Sequence, residues 1–313
     1  MLTLNRRGLT LVELLVALVL LSIVSAALYR VLVSNQRIYD AQTQRIDMQQ
    51  NIRAAAQILP ADLRELNASE GDISSATATS ITFRAMRWMG IMCAAPNTGP
   101  LATFETPTLI FTVMNQKLMG ERTPAMGDSV LIRYEGDEGT SQDDGWVRGV
   151  ITLMVAQNCP AGLPYNSAAG LQITATSSML QVAAPPQLAT PNRTNSIYQG
   201  APVRGFITQI YSLSQPAGDT SWYVGLTRGA TAIQPVVGPV IANGLRFTFL
   251  NDTNNVVLNP AGLATDRYRI GSVLFTLKAR TARPVRGATT TAGSANVVDS
   301  VTVRVALRNN RRW

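Results

Sequence analysis

The stretch NRRGLTLVELLVALVLLSIVSAALY, residues 5–29, is the long apolar run that decides the first part of the fold. The 21 residues from Leu9 to Tyr29 carry one charge, Glu13, and about 20 apolar residues in a helix suffice to cross a bilayer. An ordinary secretory signal has a shorter apolar stretch that is followed by small residues at a cleavage site. Arg6 and Arg7 precede the run, so the positive-inside rule places the N-terminus in the cytoplasm. The sequence therefore predicts a membrane-spanning helix, with the rest of the chain outside the cytoplasm.

The residues around the start of this run carry a recognisable motif. The stretch RRGLTLVELLVAL, residues 6–18, closely resembles the class III leader and N-terminus of type IV prepilins and type II secretion pseudopilins. The resemblance implies that prepilin peptidase cuts after Gly8, removes residues 1–8, and methylates the new terminal amine of Leu9. Family members usually begin with phenylalanine at this position, so leucine is a departure, and processing is still expected. The resemblance also implies that Glu13, the fifth residue of the mature chain, pairs with the terminal ammonium of a neighbouring subunit.

A carboxylate inside a membrane span needs a physical explanation. Glu13 lies four residues from Leu9, which is about 6 Å along a helix axis. Ionisable residues within a span are functional by default, and an unpaired charge in a low dielectric is unfavourable. Before assembly Glu13 has no evident partner in the sequence, whereas a staggered bundle can bring a neighbour's ammonium beside it. We therefore predict that Glu13 sets the register of assembly; the alternative is a tolerated charge near the lipid headgroups.

The helical period continues beyond the apolar run but becomes amphipathic. Apolar residues recur at three- and four-residue steps at Ile38, Ala41, Met48, Ile52, Ala55, Leu59, Leu63 and Leu66. A helix over residues 9–59 would be about 76 Å long, with its second half against a globular head. Pro60 lacks an amide hydrogen and is predicted to kink this helix or to restart it. We assign residues 9–66 to the N-terminal helix, of which 9–29 span the membrane.

Two further stretches carry a looser resemblance. Residues Met48–Ala55 (MQQNIRAA), followed by Asp62-Leu63-Arg64, are similar to the helix end of PilW-like minor pilins. The closing stretch Val301–Arg312 (VTVRVALRNNRR) is similar to their last strand. The J family of secretion pseudopilins has a similar pattern that ends in Asp-Leu-Arg, and it stays open as an alternative. The resemblance implies an α+β, type IV pilin-like fold, with a long N-terminal helix packed on an antiparallel, sheet-rich head.

Beyond the helix the pattern changes to short β-type runs separated by Gly, Pro and Asn, and we assign residues 67–313 to a β-rich head. Asn67–Ser80 is small and polar and predicts a linker or loop, and the polar stretch Gly287–Asn296 predicts a hairpin tip. Several runs alternate apolar and polar residues, as antiparallel sheets with one solvated face do. The predicted strands are Ser80–Met86, Thr108–Val113, Ser129–Tyr134, Trp146–Val155, Gly170–Gln181, Val203–Leu213, Ser221–Thr227, Gly244–Leu250, Tyr268–Arg280 and Val297–Leu307.

The chain has two cysteines, Cys93 and Cys159. Outside the cytoplasm these two residues are expected to form a disulfide. A closed loop of about 66 residues would stabilise the fold by roughly 4 kcal/mol in the chain-entropy estimate. The alternative is a pair of buried free thiols.

The sequence predicts no catalytic site and no cofactor. Gly127–Leu131 (GDSVL) resembles the start of a lipolytic motif, but the chain has no histidine, so no imidazole can activate Ser129. The acidic stretch Glu135–Gly145 contains carboxylates that could bind calcium, although their spacing is not that of an EF-hand. These candidate ligands are Asp137, Glu138, Asp143 and Asp144. The alternative is a solvated hairpin tip.

The chain is basic, with a formal charge of +8 from 27 Lys and Arg against 19 Asp and Glu. Clustered arginines attract phosphate, which keeps DNA as a weak alternative partner. Here the arginines are spread along the chain, which is typical of a solvated or partner-facing surface.

The resemblance and the residue patterns together predict a minor pilin that works in assembly. It would be inserted in the bacterial inner membrane with a periplasmic head, and then built into an extracellular type IV pilus. A chain of 313 residues is bulkier than typical major pilins, which favours a place at the tip or in initiation. The expected partners are prepilin peptidase, the inner membrane, and other major and minor pilins. The alternatives are a minor pseudopilin of a type II secretion system and a pilus-borne module that binds DNA or a surface.

Overall fold

The protein is described by a computed structural model. The described residues are 10–97, 108–114, 123–134, 145–159, 170–176, 200–251, 253, 256–286 and 294–307.

A single helix, α1, spans Leu11–Arg64. Its 54 residues correspond to a length of about 80 Å at 1.5 Å per residue. The helix passes through Pro60 and ends four residues later, so the prediction that it restarts there is wrong, whereas the kink stays a prediction. Leu59 and Leu63 on either side of Pro60 are fully buried, and this packing holds the last turn in place although one amide hydrogen is missing.

The head consists of fourteen described strands. They are β1 Ile73–Ala76, β2 Ser80–Asn97, β3 Thr108–Met114, β4 Ser129–Tyr134, β5 Gly145–Ala156, β6 Gly170–Thr176, β7 Pro202–Ser214, β8 Trp222–Arg228, β9 Gln234–Asn251, β10 Val257–Leu258, β11 Ile270–Arg280, β12 Val285–Arg286, β13 Ser294–Ala295 and β14 Val298–Ala306. A 3₁₀ helix over Ala264–Arg269 lies between β10 and β11. The predicted α+β fold, with a long apolar N-terminal helix and an antiparallel sheet-rich head, is confirmed.

All ten predicted strands are present: Ser129–Tyr134 has the predicted ends, the predicted end at Gln181 lies outside the described residues, and the other eight differ at one or both ends. The prediction ended one strand at Met86, but β2 continues to Asn97. The prediction ended too early because a bulge between Met86 and Trp88 changes which residues face the core. The prediction began another strand at Gly244, whereas β9 begins at Gln234 and accommodates two prolines. The first two residues of the predicted strand 268–280 belong to the 3₁₀ helix.

The segment Asn67–Ser80 is folded, and its interpretation as a linker or loop is wrong. It contains β1, which pairs antiparallel with β2. Asn67, Ala68 and Asp72 are all less than 5 % exposed. The segment is small and polar because its side chains make buried polar contacts, which composition alone does not distinguish from solvation.

A large antiparallel sheet carries α1 on one face. Its strand order is β1-β2-β7-β8-β9-β11-β14. The second half of α1 packs on this sheet through Met48, Ile52, Ala55, Leu59 and Leu63, which are at most 9 % exposed. Burial of these side chains, at about 25 cal/mol per Å² of apolar surface, makes this contact the main attachment of the helix.

A second layer of pairing closes six of the described strands into a ring. The order is β2-β3-β6-β5-β4-β7, and β7 pairs again with β2. The ring encloses its own apolar core, formed by Trp88, Met92, Phe111, Val113, Val130, Ile132, Val147, Ile151, Ile173, Ala175 and Val203. The Trp88 ring lies directly over Gly205, where an added Cβ would come within 2.0 Å of it. The head therefore has two cores that share β2 and β7.

Candidate functional site

The candidate site is the N-terminal part of α1, which stands clear of the head. The large apolar side chains from Leu11 to Leu32 are at least 49 % exposed, and this helix is long and apolar enough to cross a membrane. Among the residues that the structure describes, it is the one helix of this kind. Together with the motif at its start, this bare apolar segment supports membrane anchoring.

Glu13 lies in the first turn of α1 and forms a capping box with Thr10. The Thr10 main-chain N–H and hydroxyl both donate to Glu13 Oε2, at 2.9 and 3.0 Å. The Thr10 hydroxyl oxygen in turn accepts from the Glu13 main-chain N–H at 3.3 Å. Thr10 thereby satisfies one of the amide groups that every helix leaves unpaired at its start.

This geometry corrects the expectation that Glu13 has no partner before assembly. One carboxylate oxygen is already bound within the subunit, because the sequence Thr-x-x-Glu is a helix-capping signal that the interpretation as a membrane charge overlooked. The described residues give Glu13 Oε1 no hydrogen-bond partner. Gly8 and Leu9, the predicted cleavage and methylation residues, lie outside the described part of the chain.

Three polar contacts fix α1 on the head in addition to the apolar packing. The Arg283 main-chain N–H donates to Gln44 Oε1 at 3.1 Å, and Asn51 Nδ2 donates to the Gly238 carbonyl at 2.7 Å. Near the helix end, the Tyr211 hydroxyl donates to Asp62 Oδ2 at 2.5 Å. Burial, and then the hydrogen bond to Asp62, raise the pKa of Tyr211 above its ordinary value. These contacts recur 7 and 11 residues apart, so they fix the rotation of the helix as well as its position.

The turn after α1 is joined to the ring by ion pairs around the buried Asp72 carboxylate. Asp72 lies 3.5 Å from Arg84 Nε and 3.8 Å from Arg204 Nη2, and Glu70 lies 3.5 Å from Arg204 Nη1. Burial lowers the pKa of Arg84, and the nearby Asp72 carboxylate opposes that shift. The Arg84 guanidinium also lies over the Phe206 ring, 5.4 Å from its centroid. This cluster connects the helix end directly to β7, so ring and helix are held together.

The structure joins the sulfur atoms of Cys93 and Cys159 in a disulfide, with their Cα atoms 5.6 Å apart. Cys93 lies on β2 and Cys159 follows β5, and both are buried beside Met114. The bond therefore connects two strands that are not neighbours in the ring.

The other candidate residues contribute no site within the described part of the chain. Ser129 is half-buried at the start of β4. The calcium candidates Asp137, Glu138, Asp143 and Asp144 lie outside the described residues, so that prediction stays a prediction. The described ranges contain no group of three or more Cys, Asp or Glu side chains that could hold a metal ion.

Residues 3–29 match the family model of the prokaryotic N-terminal methylation motif. The match includes Gly8, Leu9 and Glu13 and covers only this N-terminal part of the chain. None of the curated proteins and none of the solved structures matches the chain. The motif implies processing by prepilin peptidase and assembly with other pilins, and it suggests a structural subunit rather than an enzyme. The chain thus carries the class III signal of type IV pilin-like proteins, which supports a type IV pilin-like or pseudopilin protein.

Proposed function

We propose that the chain is a minor pilin, which enters a type IV pilus through α1. One observation carries this proposal: the methylation motif over residues 3–29 opens a single helix that passes without a break from a bare apolar segment into a sheet-rich head. In the proposed sequence of events, the peptidase removes residues 1–8, methylates Leu9, and leaves the head in the periplasm. The subunit then leaves the bilayer for a bundle of parallel helices.

Glu13 acts in this scheme as the residue that selects the register. Thr10 holds Oε2, which orients the carboxylate at the first turn of the helix. The ammonium group of a neighbour's first residue then binds at Oε1. Since an ion pair in a low dielectric is favourable only with good geometry, a neighbour that is shifted along the axis gains little. A preoriented carboxylate therefore favours one stagger between adjacent helices.

The size of the head supports a place at the tip or in initiation. A subunit in the body of a fibre must fit between neighbours on all sides. This head adds a closed ring of strands to the sheet that packs on α1, and the ring is held by buried ion pairs rather than by a flexible link. A subunit at the tip has neighbours on one side only, so a wide head is tolerated there.

The test is the N-terminus of the subunit in purified fibres, determined by mass spectrometry of its first peptide. We expect this peptide to begin at Leu9 and to carry the mass of one added methyl group. A subunit that still begins at Met1 in the fibre would refute the proposal, because a methylated terminal ammonium would not exist.

A pair of variants separates register selection from helix capping. Glu13→Leu removes the carboxylate, whereas Thr10→Val removes the hydroxyl partner of the capping box and keeps both the carboxylate and its bond from the residue-10 main-chain N–H. We expect both variants to be inserted and processed, and only Glu13→Leu to be lost from fibres. Equal loss of incorporation in both variants would show that Glu13 serves α1 as a cap and nothing more.

A minor pseudopilin of a type II secretion system is the second candidate, because the methylation motif is common to both kinds of protein. Deletion of the gene distinguishes them: a minor pilin is expected to affect pilus number, and a pseudopilin the export of secreted proteins.

A further inference from the structure

The large sheet ends at β14, and the main-chain groups of its outer edge can be assigned from the register. β14 pairs with β11 from Ser272 opposite Ala306 to Arg280 opposite Val298, without a bulge. Hydrogen bonds flank this ladder at both ends: Leu307 N–H to the Gly271 carbonyl, and Thr281 N–H to the Val297 carbonyl. In an antiparallel pair, hydrogen-bonded residues alternate, so odd-numbered residues of β14 face β11. The N–H and C=O groups of the even-numbered residues therefore point away from the sheet.

The opposite edge of the sheet is closed in ways that β14 is not. β1 has four residues, its register with β2 shifts between Ile73 and Ser75, and the 3₁₀ helix packs beside it. The Arg267 guanidinium donates to the Ser74 carbonyl. Short length, irregular register and a capped carbonyl are the usual means by which proteins prevent strand addition. Among the described residues, these protective features occur at the β1 edge and not at the β14 edge.

Part of the β14 edge is covered by its own residues. The Asp299 side chain accepts a hydrogen bond from the Ser300 main-chain N–H at 2.7 Å, so that outward donor is occupied. The Thr302 hydroxyl bonds to the Thr276 hydroxyl on β11 and therefore does not occupy the outward main-chain groups of Thr302. The described residues give no partner to the outward main-chain groups of Thr302 and Ala306. Within the described part of the chain, Thr302 and Ala306 therefore mark the C-terminal half of β14 as the part of this edge with outward main-chain groups available for pairing.

The position of α1 shows what lies near this edge. The helix first meets the head beside β14 and β11, where Gln44 binds Arg283, and then crosses β9 at Gly238 to reach β7 at Tyr211. The β14 edge thus lies on the side where α1 leaves the head towards the other helices of the bundle. In the proposed fibre, neighbouring heads follow their own helices and would approach from this side.

We propose that the C-terminal half of the β14 outer edge pairs with a strand from the head of a neighbouring, different pilin-type subunit. This inference rests on the proposed function. The β14 side chains of Val301, Val303 and Val305 face the core, whereas the Thr302 side chain faces solvent. The added strand must therefore alternate in the same way, with apolar residues on the α1 face and polar residues on the other.

A second copy of this chain does not fit the edge. Two β14 strands paired antiparallel are related by a twofold axis perpendicular to the sheet, which reverses directions within the sheet plane. Because α1 lies across the sheet face, the two helices would run in opposite directions and could not enter one membrane from the same side. Parallel pairing would place the two helices on opposite faces of the joined sheet. The β1 edge of a second copy is short and irregular, and the ring strands are already paired on both sides, so we assign the added strand to a different chain.

The experiment compares amide hydrogen exchange in the full chain, alone in detergent and in isolated fibres. Thr302 and Ala306 amides are expected to exchange at least about tenfold more slowly in the fibre, since strand addition protects only outward groups. Val303 and Val305 amides, which face β11, are expected to be protected in both samples. Unchanged exchange at Thr302 and Ala306 in fibres whose subunit begins at Leu9 would overturn the inference and leave the proposed function intact.

A proline variant gives an independent measurement. Thr302→Pro removes an outward N–H, which an edge strand tolerates, whereas Thr302→Ala keeps it. We expect both variants to fold with the same thermal midpoint and to be processed. We expect the amount of Thr302→Pro in fibres to fall by about tenfold or more relative to Thr302→Ala, because proline removes a main-chain hydrogen bond to the added strand. Equal incorporation of both variants would contradict strand addition.

The partner is identified by a photoreactive residue in place of Ala306. An adduct on a strand of another chain that begins with a methylated residue would support the proposal. An adduct on a second copy of this chain, or no adduct in fibres, would overturn it.

Discussion

Replacing Tyr211 with phenylalanine removes one hydroxyl group from the buried contact between α1 and the head. Tyr211 is fully buried, and its hydroxyl donates to Asp62 at 2.5 Å. A hydrogen bond to a charged partner contributes about 1.5–3 kcal/mol, and we expect the lower figure because Asp62 is only half-buried and can be solvated in the variant. At neutral pH, Tyr211→Phe should therefore lower the free energy of unfolding by about 1.5 kcal/mol, roughly tenfold in the equilibrium constant.

The same variant has a pH dependence whose sign follows from the structure. Burial and the bond to Asp62 raise the pKa of Tyr211 in the folded state above the ordinary value of 10.0. Above pH 10, unfolding therefore releases a proton, and the stabilisation that is complete below pH 10 is lost as the pH rises. The loss is about 1.4 kcal/mol per pH unit for one group. The phenylalanine variant lacks this group and does not show the loss. The difference in free energy of unfolding between wild type and variant should therefore vanish at about pH 11, where the loss equals the contribution of the hydrogen bond.

The assay is urea unfolding of the full chain in detergent, followed by the fluorescence of the four tryptophans, all of which lie beyond residue 87. Tyr39→Phe is the matched control, because Tyr39 lies on the same helix, is 70 % exposed, and should leave stability unchanged. A stability difference for Tyr211→Phe that stays constant from pH 8 to about pH 11 would show that the folded protein does not suppress ionisation of Tyr211.

Three further variants test the ring and its attachment. Gly205→Ala places a Cβ within 2.0 Å of the Trp88 ring and should destabilise the head by about 3 kcal/mol or more, whereas Gly90→Ala, with contacts no closer than 3.7 Å, should be nearly neutral by thermal unfolding. Cys93→Ser opens a 66-residue loop and should lower the free energy of unfolding by about 4 kcal/mol; a reductant should lower wild type equally and leave the variant unchanged. Asp72→Asn leaves Arg84 and Arg204 without their shared carboxylate and should cost about 3 kcal/mol in urea unfolding, against no measurable change for Asp299→Asn at the exposed strand.

Much of the helix and of the strand set was predictable from local sequence. The apolar run from Leu9 to Tyr29 and the stripe from Met48 to Leu63 are periodic over many turns, and such patterns are the strongest signals in a single sequence. The strands were predictable because alternation over six or more residues reflects a two-sided sheet. Both signals depend only on residues that are close together in the chain.

The ring was not predictable, because its closure depends on pairing between distant segments. β2 carries its core residues at odd positions up to Phe83 and at even positions from Trp88 onward. The extra residue at the bulge, Arg87, causes this change, and it is held by Asp128 at 2.7 Å. A change of parity within one strand has the same appearance in sequence as the end of a strand. Its interpretation requires the partner β7, more than 100 residues later.

The candidate site shows the same division. Gly8, Leu9 and Glu13 were predicted from a short motif with residue types at fixed spacing, and their roles stay predictions. The role of Thr10 was not predicted, although Thr-x-x-Glu is a local capping signal. The apolar residues around it indicate a membrane span, and Glu13 was therefore interpreted as a membrane charge and not as part of a helix cap. Tyr211 and Asp62 could not have been paired from sequence, since 149 residues separate them.

β7 explains why the head and α1 form one body. Val203 and Gly205 face the core of the ring, and Tyr211, of the same parity, faces α1. One face of a single strand therefore contributes to both cores, and the ring cannot rotate against the helix without breaking the β7 ladder. A force on the head reaches α1 through the bond from Tyr211 to Asp62 and through the ion pairs at Asp72, close to the helix end. At its other end, α1 has the carboxylate of Glu13 and a bare apolar surface. The structure is thus suited to pass load from a rigid head to α1, as the proposed place at the tip of a fibre requires.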